Sequence, residues 1–297
     1  PASLLASSYL RVNPFVDAMV EGWQLANACF FAGNVWAVRS LPRLDGRNSS
    51  ALPLNFFTPA PYAFAIWGVI YMMELLFVTW QLLQGCGVRG VRCSPTPRQQ
   101  LLKRLSPFWC GANACQIAWC FAFRPSLDTP SLLWISAVCL SGIASFLGSA
   151  HRALSEAKRE RGLSFEEMIF VYVPLTLHFG WTTAASLVNW NGYVSRCSLN
   201  LEWPSRVKVD ALLISLALAG LLGARITLSR QSALYGLTVS WAVLAVASHS
   251  STSLEFREEF PGGEAALQWV AQVEYALGFS LIAIALFSGC QRLKRRS

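Results

Sequence analysis

The side chains here with the most chemistry to offer are His151, His178, His249, Glu74 and Glu274. An ionisable side chain inside an apolar run is costly, so each one there is a functional candidate by default. His178 and His249 sit inside such runs. His151 ends one beside a basic loop and reads as interfacial. Two roles suit an intramembrane histidine: a hydrogen-bonded core residue, or an axial ligand to a tetrapyrrole metal. No HxxxH or HExxH pattern favours the second. Glu74 and Glu274 have no partner nearby in sequence and are expected as protonated carboxyls facing a bundle interior. No GxSxG, P-loop, GxGxxG or zinc motif occurs in a usable context. No catalytic residue and no metal ligand is assigned, and an enzyme is not expected.

The aromatic residues say more. Of 12 tryptophans, Trp190 and Trp203 fit membrane interfaces. Trp67, Trp119, Trp134, Trp181 and Trp241 lie well inside apolar runs, where an indole N–H needs a partner. With Asn113 and Asn189 at related depth, these rings could line an apolar cavity with a few polar points. A flat hydrophobic ligand requires that kind of site. They could equally serve only to pack helices. In TPAPYAFAIWGVIY, Pro61 suits a helix's first turn. Phe64, Trp67 and Tyr71 then fall at i, i+3 and i+7, on one face.

The elements that must hold these residues are membrane spans. The chain is 54% hydrophobic and 13% charged, with a mean hydropathy of +0.41. Soluble domains carry about 25% charged residues. Eight candidate spans run at 15–38, 59–83, 107–123, 131–150, 167–189, 209–224, 233–250 and 267–289. Helices are expected, because lipid offers an open chain no other way to satisfy its backbone. The first is weakest, since it holds Asp17, Glu21, Gln24, Asn27 and Asn34, so the total is seven or eight. If all eight cross, 16 of the 24 Lys and Arg share the side of both termini. That bias predicts both termini on the positive side. The net charge of +8 therefore reads as topology. With no separate basic domain, nucleic acid is not an expected partner.

Between the spans, HRALSEAKRERGLSFEEM reads as a solvated helical extension, and PGG before the last span as a turn. Of nine cysteines, Cys29, Cys110, Cys115, Cys120, Cys139 and Cys290 lie in apolar segments as small hydrophobes. Cys86, Cys93 and Cys197 lie in loops, which leaves a loop disulfide open. The sequence opens without Met, and a processed or partial N-terminus is expected.

FTPAPYAFAIWGVIY resembles the TspO/translocator-protein family, the tryptophan-rich sensory proteins, through Pro59, Phe64, Trp67 and Tyr71. A second motif, PLTLHFGWTTAASLVN, is similar through Pro174, Gly180, Trp181, Ala185 and Asn189, in the order W-x3-A-x3-N. GANACQIAW matches more loosely through Asn113 and Trp119; short members carry Trp where this chain has Gln116. WQLANACFFAGN and YGLTVSWAVLAVA look like a longer branch of the family.

The resemblance implies an all-α integral membrane protein, with a five-helix bundle over residues 1–190 and a three-helix extension with a basic tail over 191–297. It implies a cavity for a porphyrin, heme or chlorophyll-type tetrapyrrole or a sterol, used for sensing, regulation or transport. Its expected ligand-binding residues are Phe64, Trp67, Tyr71, Asn113, Trp119, His178, Trp181, Ala185 and Asn189. Val188, Tyr193 and Arg196 fit a degenerate sterol-contact pattern. The alternative is a non-catalytic accessory subunit of a larger membrane complex, such as a photosynthetic pigment–protein or mitochondrial assembly. Carotenoid or lipid would then sit on its outer face, and other membrane subunits would be its partners. Membrane lipids are partners in either case. A plastid thylakoid or mitochondrial membrane is the expected setting.

Overall fold

The structure, a computed structural model, describes residues 20–44, 54–84 and 95–294. The described residues are helical, with no strand among them. The helices are α1 (Gly22–Ser40), α2 (Ile66–Leu83), α3 (Pro97–Ala122), α4 (Trp134–Glu160), α5 (Phe165–Glu167), α6 (Val173–Asn200), α7 (Arg206–Arg230), α8 (Ala233–Thr252), α9 (Leu254–Glu259) and α10 (Gly263–Lys294). A 3₁₀ turn, Pro61–Ala65, leads into α2. A π turn, Met168–Tyr172, joins α5 to α6 just before Pro174. The start of the first expected span, Cys86, Cys93, Arg11, Arg47, Arg89 and Arg92 lie outside the described residues.

Among the described residues, six stretches are long and apolar enough to cross a membrane: Pro61–Leu83, Trp134–Glu160, Phe165–Asn200, Arg206–Arg230, Ala233–Thr252 and Gly263–Gln291. This is a multi-pass integral membrane protein. The count of seven or eight spans included α1 and α3, which do not reach that threshold. α3 opens on PRQQLLKR, and α1 carries amides along its length. Both still pack into the bundle, α1 on α3 and α2, and α3 on α4.

The amides of α1 point inward and are satisfied there, as buried polar groups must be. Asn27 donates to Gln81 Oε1 at 2.9 Å and accepts from Ser106 at 2.8 Å. Gln24 donates to the Gln81 carbonyl. Asn34 donates to Asn113 Oδ1 at 2.9 Å. Across lipid-embedded helices such bonds supply association that the hydrophobic effect does not.

The C-terminal helices are stitched to the first five. α6 runs unbroken past residue 190, and α8 lies against it at Gly180. A Cβ at Gly180 would sit 2.7 Å from Thr238 Cβ and 3.3 Å from the Tyr235 carbonyl oxygen. Gly180→Ala is therefore expected to destabilise the protein by about 1–3 kcal/mol through overpacking. A thermal midpoint in detergent equal to the parent's would contradict this close approach.

Two loop expectations come out differently. PGG is a turn as expected, with Gly262 at φ 94 and Gly263 at φ 72, a backbone region open to glycine. His151, expected at an interface, is fully buried. The turn after α7 folds over it, placing Ser232 Oγ 3.0 Å from Nε2 and Arg230 3.1 Å from Nδ1.

Candidate functional site

The residues before α2 begin the site. Asn55 folds the segment into an Asx turn: its Oδ1 accepts from the Phe57 N–H at 3.0 Å, and Thr58 Oγ1 donates to its carbonyl at 2.7 Å. Asn55 Nδ2 then reaches the Val188 carbonyl on α6 at 2.9 Å. The Ala60 N–H donates to the Ala245 carbonyl on α8 at 2.9 Å. Phe56 packs on Phe256 and Phe260, with ring centroids 5.3 and 4.8 Å apart. The segment is thus fixed to α6, α8 and α9 before Pro61 opens the 3₁₀ turn.

A cavity of about 260 Å³ lies behind this segment, near the helix ends. Its lining includes Phe64, Trp67, Trp119, Trp181, Ala185, Val188 and Asn189. Trp181, Ala185 and Asn189 stand four residues apart, so they form one stripe on α6. Ala185 leaves the open volume between the two larger residues. Phe64 and Trp67 meet Trp181 nearly edge-on, at 5.6 and 6.3 Å, both inclined at 85°. Opposite, Trp119 stacks on Phe123 at 5.2 Å. Asn189 Oδ1 accepts from Trp119 Nε1 at 3.1 Å and Ser136 Oγ at 3.2 Å, which ties α6 to α3 and α4. Phe64 and Glu255 are exposed and mark the mouth.

Five of the sequence-expected residues lie away from the cavity. Tyr71 is a turn deeper, where its hydroxyl donates to Asn34 at 3.3 Å and accepts from Gln116 Nε2 at 2.7 Å. Asn113 is held by Asn34 and by the Trp109 carbonyl at 3.0 Å. Gln116 belongs to this polar layer. His178 lies behind Trp67, its ring 5.5 Å from that indole, and its Nδ1 is 2.6 Å from Glu74 Oε1. Both members of that pair are buried. Val188 and Tyr193 are five residues apart, about 140° around a helix, so only Val188 faces the cavity. Arg196 is paired with Asp128. Of the tryptophans, Trp134 and Trp241 turn to the outer surface.

The lining also holds residues not expected from sequence: Asn55, Thr58, His249, Glu255 and Phe256. Asn55 had a signal, an Asn two residues before a turn's N–H. His249 was visible as an intramembrane histidine, but nothing local linked it to Trp181. Its ring lies parallel to Phe256, 4.8 Å away. No group of three His, Cys, Asp or Glu suited to a metal ion occurs among the described residues. Cys197 is buried as a free thiol.

The sequence matches the family model for TSPO-like proteins over residues 25–287, from α1 into α10. The chain belongs to the TSPO-like family. No curated protein and no solved structure matches it. The TSPO-like match includes every wall of the cavity, His249 and Phe256 among them, so the C-terminal helices lie within the family's extent.

Proposed function

We propose that this protein binds a flat apolar ligand of the tetrapyrrole or sterol class in the cavity between α3, α6 and the Asn55–Trp67 segment. The bound state would serve sensing, regulation or transport. The observation that carries this reading is the convergence of Trp67, Trp119 and Trp181 with the Ala185–Asn189 stripe on one concave site. Small-molecule sites span roughly 300–1,000 Å³ and are mostly apolar with a few placed polar groups. At about 260 Å³ this cavity takes one edge of a macrocycle or one end of a sterol, with the remainder at the mouth beside Phe64. Indole faces pack against the ring system. Asn189 is already engaged by Trp119 and Ser136, so it shapes the floor.

Titration of the purified full chain with protoporphyrin IX, and separately with the fluorescent sterol dehydroergosterol, tests this through tryptophan emission. Saturable quenching or energy transfer is expected with at least one, with a Kd on the order of micromolar. Unchanged emission with both overturns the reading.

A further inference from the structure

Two residues of the cavity lining each carry a buried polar atom without a hydrogen-bond partner among the described residues: Trp181, through Nε1, and His249, through Nδ1. They come from different helices, α6 and α8. Trp181 as a residue is 1% exposed. The side chains of its neighbours Phe64 and Trp67 carry no oxygen acceptor. An indole N–H can only donate, whereas an imidazole nitrogen donates or accepts according to tautomer. A buried polar atom left unmatched costs roughly 1–3 kcal/mol. A ligand that supplies both partners recovers that cost.

We infer that the cavity selects ligands carrying an oxygen function, a hydroxyl or a carboxyl, at the buried end, and that His249 of the C-terminal helices is its anchor. This rests on the binding reading above and names the chemistry of that same site. An oxygen function satisfies both groups. It accepts from the indole, and it pairs with Nδ1 in either tautomer. Stacking on Phe256 holds the imidazole ring in one plane, so the anchor is positioned before the ligand arrives. The ring system gains its contacts from the indoles, and the oxygen sets which end enters.

The test compares two pairs of probes on the full chain: protoporphyrin IX with its dimethyl ester, and cholesterol with cholestane, the sterols as competitors of dehydroergosterol. The parent protein is expected to prefer the oxygen-bearing member of at least one pair by about tenfold, one hydrogen bond's worth. The carboxyl source is separated from the hydroxyl source by which pair shows it. His249→Phe keeps the flat ring against Phe256 and removes the nitrogen. It is expected to bind both members of that pair equally while retaining the parent's thermal midpoint. His249→Asn, which restores a polar group, is expected to regain part of the preference. Equal binding of both members by the parent overturns the inference while leaving the cavity reading standing, as does full discrimination by His249→Phe. Absence of any binding overturns both.

Discussion

Alanine at either Glu74 or His178 is expected to destabilise the protein by about 3–5 kcal/mol, because removing one partner of a buried pair strands the other. At about 2–4 °C per kcal/mol, the thermal midpoint falls by on the order of 10 °C. Replacing both by leucine is expected to cost less than either single change, since no polar group is then left stranded. The geometry behind this is specific. The carboxyl and imidazole meet at 2.6 Å with both side chains at most 1% exposed, bridging α2 and α6. Glu74 Oε2 and His178 Nε2 have no partner among the described residues, so the Oε1–Nδ1 contact is the hydrogen bond that holds the two side chains together. The measurement is a double-mutant cycle by thermal unfolding in one detergent. Additive losses, with the double variant the worst of the three, would show that the two residues act independently.

Ala185→Phe is expected to abolish ligand binding with the fold retained. Ala185 stands between Trp181 and Asn189 on the α6 stripe and is only partly buried, facing the cavity. A phenyl group there occupies the volume an incoming ring would use. Because the cavity is open on one side, the added ring meets space before it meets packed side chains, so the overpacking cost stays small. The expected result is a loss of more than tenfold in affinity for whichever ligand the parent binds, read by tryptophan emission, at an unchanged thermal midpoint. Binding at parental affinity would place the ligand elsewhere on the molecule.

Part of this site was legible in the residues. Trp181, Ala185 and Asn189 recur at helical spacing, so a shared face follows from the sequence. Pro61 as a helix start, the PGG turn and the helical spans follow from local rules in the same way. What spacing cannot supply is depth and partner. Phe64, Trp67 and Tyr71 do share a face, but Tyr71 sits a turn below the cavity, and its hydroxyl is taken by Asn34 and Gln116 from two other helices. His178 sits close in sequence to Trp181 and looked equally available. Its partner is Glu74, 104 residues away, and that contact turns it behind Trp67. Asn113 suits a polar point of the cavity by its depth in sequence, yet Asn34 of α1 and the Trp109 carbonyl claim it. Those same amides made α1 look like a poor span, because a hydropathy window cannot tell an inward polar face from a lipid-facing one. The wall made by His249 and Phe256 was the hardest to see. It arises only when α8 closes on α6 at Gly180.

The central claim is that a ligand occupies the space between α6, the Asn55–Trp67 segment and the α8–α9 corner. Photo-crosslinking tests it most directly, using a diazirine-bearing analogue of whichever ligand the emission titration identifies, followed by peptide mapping. Label is expected on the peptides holding Trp181–Gly192 and His249–Phe256, competed by unmodified ligand and lost in Ala185→Phe. Label confined to the outward faces of α7 and α10, and insensitive to that substitution, would contradict it.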